Sequence, residues 1–393
     1  MVMTSSVHHR LMNQSGSSVS AKIKLLYLVT EDWYFCSHRL GLARAAVNAG
    51  FQVSVVTRVS EHRATIEKAG IKVIPVAIAR SSLNPFPDLL IILRLIALYR
   101  RERPDFVQHV ALKPVLYGTI AARISGVRNI VNALAGMGWL FASNDIGKRR
   151  LPAAVLGWFL RPVLRCSRVI VQNPEDAALV RQWTGSIPAL IRGVGVNCEL
   201  FTPIAPPSDV CLIVLPARML KDKGVFEFVE AAVGVHALGL KARFALVGAP
   251  DQANRASIDI AQLQKWRQEG AVEWWGQQQD MAAVYAQAHI VCLPSYREGL
   301  PKALLEAAAT GLPIVTTDVP GCREIVKDDY NGILVPARDV SALVKALTRL
   351  IAEPNTRKLM GIRGRLRACR EFSEEQTISE MIKIYRTLAV SCA

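Results

Sequence analysis

Two glutamates, two cations and a Gly-Leu-Pro turn are the residues of this chain best suited to joint chemistry. The segment Pro294-Ser-Tyr-Arg-Glu-Gly-Leu-Pro-Lys-Ala-Leu-Leu-Glu306 follows Ile290–Leu293, a short apolar run that reads as a buried strand. It leads into Lys302–Thr310, a run of good helix formers. This order puts the backbone N–H groups of Gly299 and Leu300 at a helix N-terminus, where free donors and the helix dipole both favour an anion such as phosphate. Glu298 precedes the turn and Glu306 follows about two helical turns later. A carboxylate accepts hydrogen bonds from sugar hydroxyls. The segment therefore suits a sugar, a diphosphate and a second sugar in a row, which is the make-up of a nucleotide sugar. A solvated helix with two chance glutamates is the bland alternative. The preceding strand, the turn and the following Gly311-Leu-Pro-Ile-Val315 weigh against it.

Arg218 and Lys223 form the second constellation. The apolar run Cys211–Pro216 ends just before Arg218, and Lys223-Gly224 opens the next helix. Both cations then sit at a strand's carboxyl end, facing the same cleft as the Glu298 loop. Arginine grips a diphosphate through two parallel hydrogen bonds and lysine adds a compact charge. Cations where a leaving diphosphate gathers charge stabilise the transition state. The alternative for both, and for Lys221, is a solvated basic loop.

These residues carry a family resemblance. Glu298-x7-Glu306, in an E-G-x-P-x-x-x-x-E-A context, resembles the E-x7-E motif of retaining family-4 glycosyltransferases of the GT-B fold. Arg218 with Lys223-Gly224 is similar to that family's Arg…Lys-Gly pattern, and Gly193-Val-Gly-Val-Asn197 followed by Leu200-Phe-Thr-Pro203 resembles its interdomain junction. The likeness covers most of residues 24–390 and is strongest over 211–340. It implies that Glu298 binds hydroxyls of the donor sugar and Glu306 the ribose, with Gly248, Trp275 and Gly276 lining the nucleotide side. Core packing is an equal reading of Trp274 and Trp275. The resemblance also implies retention without an obvious protein nucleophile, the leaving phosphate helping to deprotonate the acceptor. The chain has no Asp-x-Asp pair to hold a divalent ion, and Arg218, Lys223 and the helix terminus can meet the diphosphate instead. Metal-independent catalysis, with no cofactor, is the expectation.

On the acceptor side His109 ends the run Phe106–His109. Many relatives carry one or two histidines here, but Gln108 and Val110 flank this one, so catalytic and structural roles both stand. The first loop, Asp32-Trp-Tyr-Phe-Cys-Ser-His-Arg39, lacks the glycine pair of many relatives. It resembles instead a subgroup with an aromatic-then-S-H-R signature that builds bacterial surface polysaccharides. Ser37, His38 and Arg39 become candidates there, Arg39 for a phosphate of the donor or of an acceptor lipid, with helix capping the alternative for Ser37. Lys113 is a further cation on this side.

These residues need a scaffold, and the rest of the chain supplies one. Apolar runs alternate with helical stretches from residue 22 to about 197, and again from 211, joined by the Pro-rich 198–210. That pattern predicts α/β architecture: two Rossmann-like doubly wound domains facing a central cleft, as in GT-B. Residues 1–21 read as a disordered tail, 22–197 as the acceptor domain and 211–373 as the nucleotide-sugar domain. Residues 374–393 read as a helix crossing back to the first domain. A helix is expected over His38–Ala49. The eight cysteines show no C-x-x-C spacing and read as reduced, mostly buried thiols.

Charge separates the halves. Residues 1–200 carry 25 Lys/Arg against 11 Asp/Glu, and residues 201–393 carry 23 against 21. A basic first half suggests nucleic acid, an anionic membrane or a phosphate-bearing substrate. No zinc-finger, RNP-type or basic-zipper pattern accompanies it, so nucleic acid is not expected as a partner. Helix Asp88–Arg103 and segment Lys148–Arg168 mix basic with apolar residues, which suits an anionic membrane surface as well as ordinary packing. The longest apolar run, Leu89–Tyr99, is broken by Arg94, and residues 1–20 lack the apolar core of a signal peptide. The expected setting is cytoplasmic, peripheral to the inner membrane, with a nucleotide-sugar donor and a polyprenyl-diphosphate-linked saccharide acceptor. Two rivals remain: an epimerase or hydrolase of nucleotide sugars, and a non-catalytic partner in a polysaccharide-building complex.

Overall fold

The structure, a computed structural model, describes residues 22–76, 78, 85–134, 157, 158, 160–205 and 210–390. The expected tail 1–21, and residues 148–156 and 159 of the basic segment 148–168, lie outside the described residues.

Strands apolar on both faces form parallel sheets when helices cover both sides. The first half contributes β1 (Lys24–Glu31), α1 (Asp32–His38), α2 (Leu40–Asn48), β2 (Gln52–Arg58), α3 (Arg63–Lys68), β3 (Lys72–Pro75), α4 (Pro85–Glu102), β4 (Phe106–Val110), α5 (Leu112–Ile124), β5 (Asn129–Ala133), β6 (Arg168–Val171), α6 (Pro174–Thr184) and β7 (Ala189–Leu190). The second contributes β8 (Cys211–Pro216), α7 (Val225–Ala237), β9 (Ala242–Val247), α8 (Ile260–Gln268), β10 (Glu273–Gly276), α9 (Met281–Gln287), β11 (Ile290–Leu293), α10 (Lys302–Ala309), β12 (Ile314–Thr317), α11 (Pro320–Ile325), β13 (Gly332–Val335), α12 (Val340–Ala352), α13 (Pro354–Glu371) and α14 (Glu374–Val390). The strands run parallel in two sheets, ordered β3-β2-β1-β4-β5-β6-β7 and β10-β9-β8-β11-β12-β13. Strand order reverses between β1 and β4, and between β8 and β11. Loops beyond the carboxyl ends of those strands open the crevice where such sheets bind ligands.

Each sheet is buried on both sides. Tyr27, Phe35, Phe51 and Phe106 pack beneath α2 and α14 on one face of the first sheet, and Leu26, Leu28 and Val107 pack against Leu95 and Tyr99 of α4 on the other. The second sheet buries Phe228 of α7 and Leu347 of α12 on one face, and Leu304 and Leu305 of α10 on the other.

Two expectations are corrected here. The helix expected over His38–Ala49 is two helices broken at Arg39 (φ −133°, ψ −15°), and the first begins at Asp32. Its start is fixed by the buried Asp32 carboxylate, which accepts from the backbone N–H of Trp33 at 2.7 Å, Ser60 at 2.6 Å and His62 at 3.1 Å. With that turn anchored, Phe35 enters the core and the aromatic stretch becomes helical instead of a loop. The cysteines are not all free thiols: Cys198 and Cys369 form a disulfide with their Cα atoms 5.9 Å apart. They lie 171 residues apart in the chain, and folding brings them together where the two domain crossovers meet. There Val196 N–H donates to Phe372 C=O at 2.8 Å and Glu374 N–H to Val196 C=O at 3.0 Å. From this crossing α14 runs back onto the first sheet, burying Met381, Tyr385 and Leu388.

Candidate active site

The loops after β8, β9 and β11 meet at backbone contact. Gly224 has φ +71°, and a Cβ there would stand 2.1 Å from the carbonyl oxygen of Pro294. At Gly248 (φ +150°) a Cβ would stand 1.9 Å from the carbonyl oxygen of Ala217. Only glycine permits both approaches. The first brings Lys223 to Glu298: Nζ donates to Oε1 at 2.5 Å. The second sets the β9 loop beside Arg218, whose guanidinium donates to Asp251 at 2.5 Å. The Glu298 loop is held from behind. Tyr296 N–H donates to Asp222 C=O at 2.9 Å, the Arg297 guanidinium pairs with Asp222, the Tyr296 hydroxyl with Glu227, and Thr317 Oγ1 with Ser295 C=O. Glu298 is thereby fixed just before α10.

Helix α10 carries the second carboxylate into the same cleft. Lys302 and Glu306 stand one turn apart, with Nζ 3.3 Å from Oε1, and Tyr285 Oη donates to Glu306 at 3.2 Å. Burial pushes the Glu306 carboxyl above the ordinary range, against the opposing pull of Lys302. Arg218, Lys223, Gly248, Glu298, Leu300 and Glu306 line one cleft of about 970 Å³ between the domains.

From the first domain α1 supplies the facing wall. The Arg218 guanidinium lies over the Trp33 ring at 5.5 Å. Lys302 Nζ donates to the Ser37 carbonyl at 3.2 Å, and Asn173 Nδ2 donates to the Gly299 carbonyl at 3.1 Å. His38 stacks on Tyr34 with ring centroids 4.2 Å apart. Burial, with Lys302 and Arg39 nearby, holds the imidazole down at about 3, so its ring is neutral at physiological pH. Ser37 and His38 both line the cleft. Ser37 caps no helix, because α2 begins after Arg39 and has no side-chain cap. Arg39 is buried and turns to a smaller cavity behind the cleft.

Five candidates fall elsewhere. Gly299 precedes the Pro301 N-cap of α10 by two residues, outside the cleft lining, with its carbonyl taken by Asn173. His109 does not face the cleft. It is fully buried, with Nδ1 2.9 Å from Asn132 Oδ1 and Nε2 3.2 Å from Tyr99 Oη. Helix α5 closes over it so tightly that a Cβ at Gly118 would lie 2.6 Å from the ring. Burial holds its pKa down at about 4. Lys113 pairs with Asp88 of α4 at 3.6 Å. Trp275 and Gly276 sit behind the lining: Trp275 Nε1 donates to Glu273 at 2.8 Å, and the Gly276 carbonyl accepts from Gly248 N–H at 2.7 Å. They support the β9 loop and do not touch the cleft.

Sequence reasoning passed over Trp33, Lys302, Asp251 and Tyr285. Lys302 was findable, since it stands four residues before Glu306 on a predicted helix. Asp251 and Tyr285 reach the site only through tertiary packing.

Comparisons with known proteins agree with this fold. Residues 24–173 match the family model described as "Glycosyl transferase 4-like", and residues 211–353 match "Glycosyl transferases group 1". The chain is 26% identical over 334 residues to an N,N'-diacetylbacillosaminyl-diphospho-undecaprenol alpha-1,3-N-acetylgalactosaminyltransferase of Campylobacter jejuni, covering 81% of this chain and 87% of the relative. It is 23% identical over 320 residues to a UDP-Gal:alpha-D-GlcNAc-diphosphoundecaprenol alpha-1,3-galactosyltransferase of Escherichia coli, covering 77% and 81%. Among solved structures, a sucrose-phosphate synthase from Thermosynechococcus elongatus superposes with a TM-score of 0.77 at 21% identity, over 94% of this chain and 100% of that one.

Proposed function

The chain belongs to the family-4 glycosyltransferases of the GT-B fold, and from that premise we propose that it moves a sugar from a UDP donor to a polyprenyl-diphosphate-linked saccharide, with retention and without a metal ion, in building a surface polysaccharide. The observation that carries this reading is the convergence of Arg218, Lys223, Glu298 and Glu306 on one interdomain cleft. The uridine base and the lipid-linked acceptor are supported by the names of the two relatives above, one a UDP-galactose enzyme and both acting on diphospho-undecaprenol sugars.

The donor's diphosphate lies against Arg218, Lys223 and the N–H group of Leu300. Binding exchanges Lys223 from Glu298 to phosphate, which releases the Glu298 carboxylate to accept from donor-sugar hydroxyls. Glu306 accepts from the ribose. The bond between the anomeric carbon and the β-phosphate oxygen breaks. The acceptor hydroxyl bonds to that carbon from the same face, and its proton passes to the departing phosphate. Arg218 and Lys223 hold the charge that gathers there. Closure of the two domains excludes water that would hydrolyse the donor.

A membrane surface suits the acceptor. Leu89, Leu90 and Leu93 of α4 are each more than half exposed, and Arg94, Arg100 and Arg101 are exposed on the same helix. No described helix is long and apolar enough to cross a membrane. Basic residues beside exposed leucines suit peripheral docking on anionic lipid at the cytoplasmic face.

A donor screen tests the reading. UDP-, GDP- and dTDP-sugars are incubated with the protein, EDTA and a lipid-linked saccharide extract, and nucleoside diphosphate release is followed. Release from one UDP-sugar that requires the extract supports the proposal. Release without acceptor would make the protein a hydrolase or epimerase, and dependence on Mg²⁺ would overturn metal independence.

A further inference from the structure

Behind the cleft, where the chain crosses between domains, lies a second cavity of about 200 Å³. Its walls come from four elements: His38 and Arg39 at the α1–α2 break, the crossover Gly193–Asn197, Lys302 of α10, and Glu374 at the start of α14. It is smaller than the roughly 300–1,000 Å³ of pockets that enclose drug-sized ligands. A group the size of an inorganic anion fits it better than a nucleotide.

Arg39 is the unexplained residue there. It is only 6% exposed, and its Nε is buried with no hydrogen-bond partner. Among the described residues no carboxylate lies within ion-pair distance of it. The nearby hydroxyls of Tyr27 and Tyr385 are committed elsewhere, to each other at 2.8 Å and, for Tyr385, to Gln108. The neutral His38 ring, held against the Tyr34 backbone, lines the same wall. Lys302 also lines the cavity, its Nζ already meeting Glu306 and the Ser37 carbonyl. Glu374 is the one acid in the lining, and its carboxylate packs on the backbone of Gly41: a Cβ there would lie 2.3 Å from Oε1. Burial raises the Glu374 carboxyl against the opposing pull of Lys302 and Arg44. A buried guanidinium without a counter-ion is costly, and an oxyanion accepting its N–H groups removes that cost.

We propose that this cavity at the domain crossover is a second anion site, separate from the donor-diphosphate position at Arg218 and Lys223, which binds a phosphate-class oxyanion through the Arg39 guanidinium. Bound there, the anion touches the crossover and the first turn of α14 together and ties the anion to the domain hinge. The ligand is either a free phosphate or diphosphate, or the diphosphate of a lipid-linked substrate. The site does not depend on sugar transfer, so it stands or falls apart from the transferase reading.

The test uses inorganic pyrophosphate, titrated calorimetrically at low ionic strength into an Arg218→Ala/Lys223→Ala double variant that lacks the donor-site cations. One-to-one binding is expected, weakened at least tenfold when Arg39→Gln is added and partly restored by Arg39→Lys. Absence of binding in the double variant, or an affinity unmoved by Arg39→Gln, would overturn the site. If Arg39→Gln does not fold, hydrogen exchange on the double variant decides. Pyrophosphate is expected to protect the amides of residues 193–197 and 374–378, and no protection there refutes the proposal. A short prenyl diphosphate titrated in parallel identifies the source. Tighter binding than pyrophosphate assigns the site to a lipid headgroup, and equal or weaker binding assigns it to free phosphate.

Discussion

Glu298 and Lys223 hold each other at 2.5 Å in the cleft, each the other's counter-charge until a donor arrives. Glu298→Ala leaves the fold's cores untouched but removes the carboxylate proposed to accept from donor-sugar hydroxyls. It is expected to lower kcat/KM by about 100-fold or more, near 2.7 kcal/mol, with a thermal melt close to wild type. His109 gives the opposite pattern. Its ring satisfies Asn132 and Tyr99 inside the first domain, so His109→Ala is expected to cost about 2–4 kcal/mol of stability from orphaned polar groups and a cavity. Urea unfolding measures that loss, and the kcat of the remaining folded protein should stay near wild type. Glu306 sets a pH limb. Its carboxyl is raised by burial, so it protonates at higher pH than a solvated glutamate and then loses an acceptor. The donor KM is expected to rise as pH falls through that raised range, and Glu306→Gln should remove the limb. Arg218 and Glu298 were legible in sequence because each follows an apolar strand, where open sheets bind ligands, and Lys223 and Glu306 because they stand at set spacings in the turn and helix that come next. His109 sits at a strand end too, but whether such a side chain faces cleft or core depends on how α5 closes over it, and spacing carries no record of that.

Among the elements, the alternation of apolar runs and helices gave away the parallel sheets, since period and length suffice for strands such as β8 and β11. The two-residue β7 was too short to register. The start of α1 at Asp32 depends on that carboxylate meeting the backbone of Ser60 and His62 after β2, a contact no local window contains. The same limit applies to the disulfide between Cys198 and Cys369, whose partners are 171 residues apart. In the chain-entropy account a bridge closing so long a loop stabilises by up to about 5 kcal/mol. A reductant is expected to lower the wild-type melting temperature and to leave that of Cys369→Ser unmoved. Equal melting of oxidised and reduced wild type would show that the bridge adds nothing.

At the scale of the whole molecule, two features belong to the first half of the chain: an excess of 14 positive charges in residues 1–200 and an apolar, arginine-bearing face on α4. Binding to anionic vesicles should follow both. Replacing Leu89, Leu90 and Leu93 by serine is expected to abolish flotation with anionic vesicles while leaving the melt within a few degrees of wild type, because these side chains are already exposed. Raised salt should weaken wild-type flotation as the charges are screened. Composition showed the charge asymmetry, but which leucines face outward required the packed sheet. The central claim, retaining transfer from a UDP-sugar to a lipid-linked saccharide, is tested most directly by isolating the product. Protein in EDTA is given an isotope-labelled α-linked UDP-sugar and a polyprenyl-diphosphate saccharide, and the lipid fraction is examined by nuclear magnetic resonance. Label in the lipid fraction with an α anomeric signal, lost with Glu298→Ala, is expected. A β-linked product, or label that stays in water as free sugar, would contradict the claim.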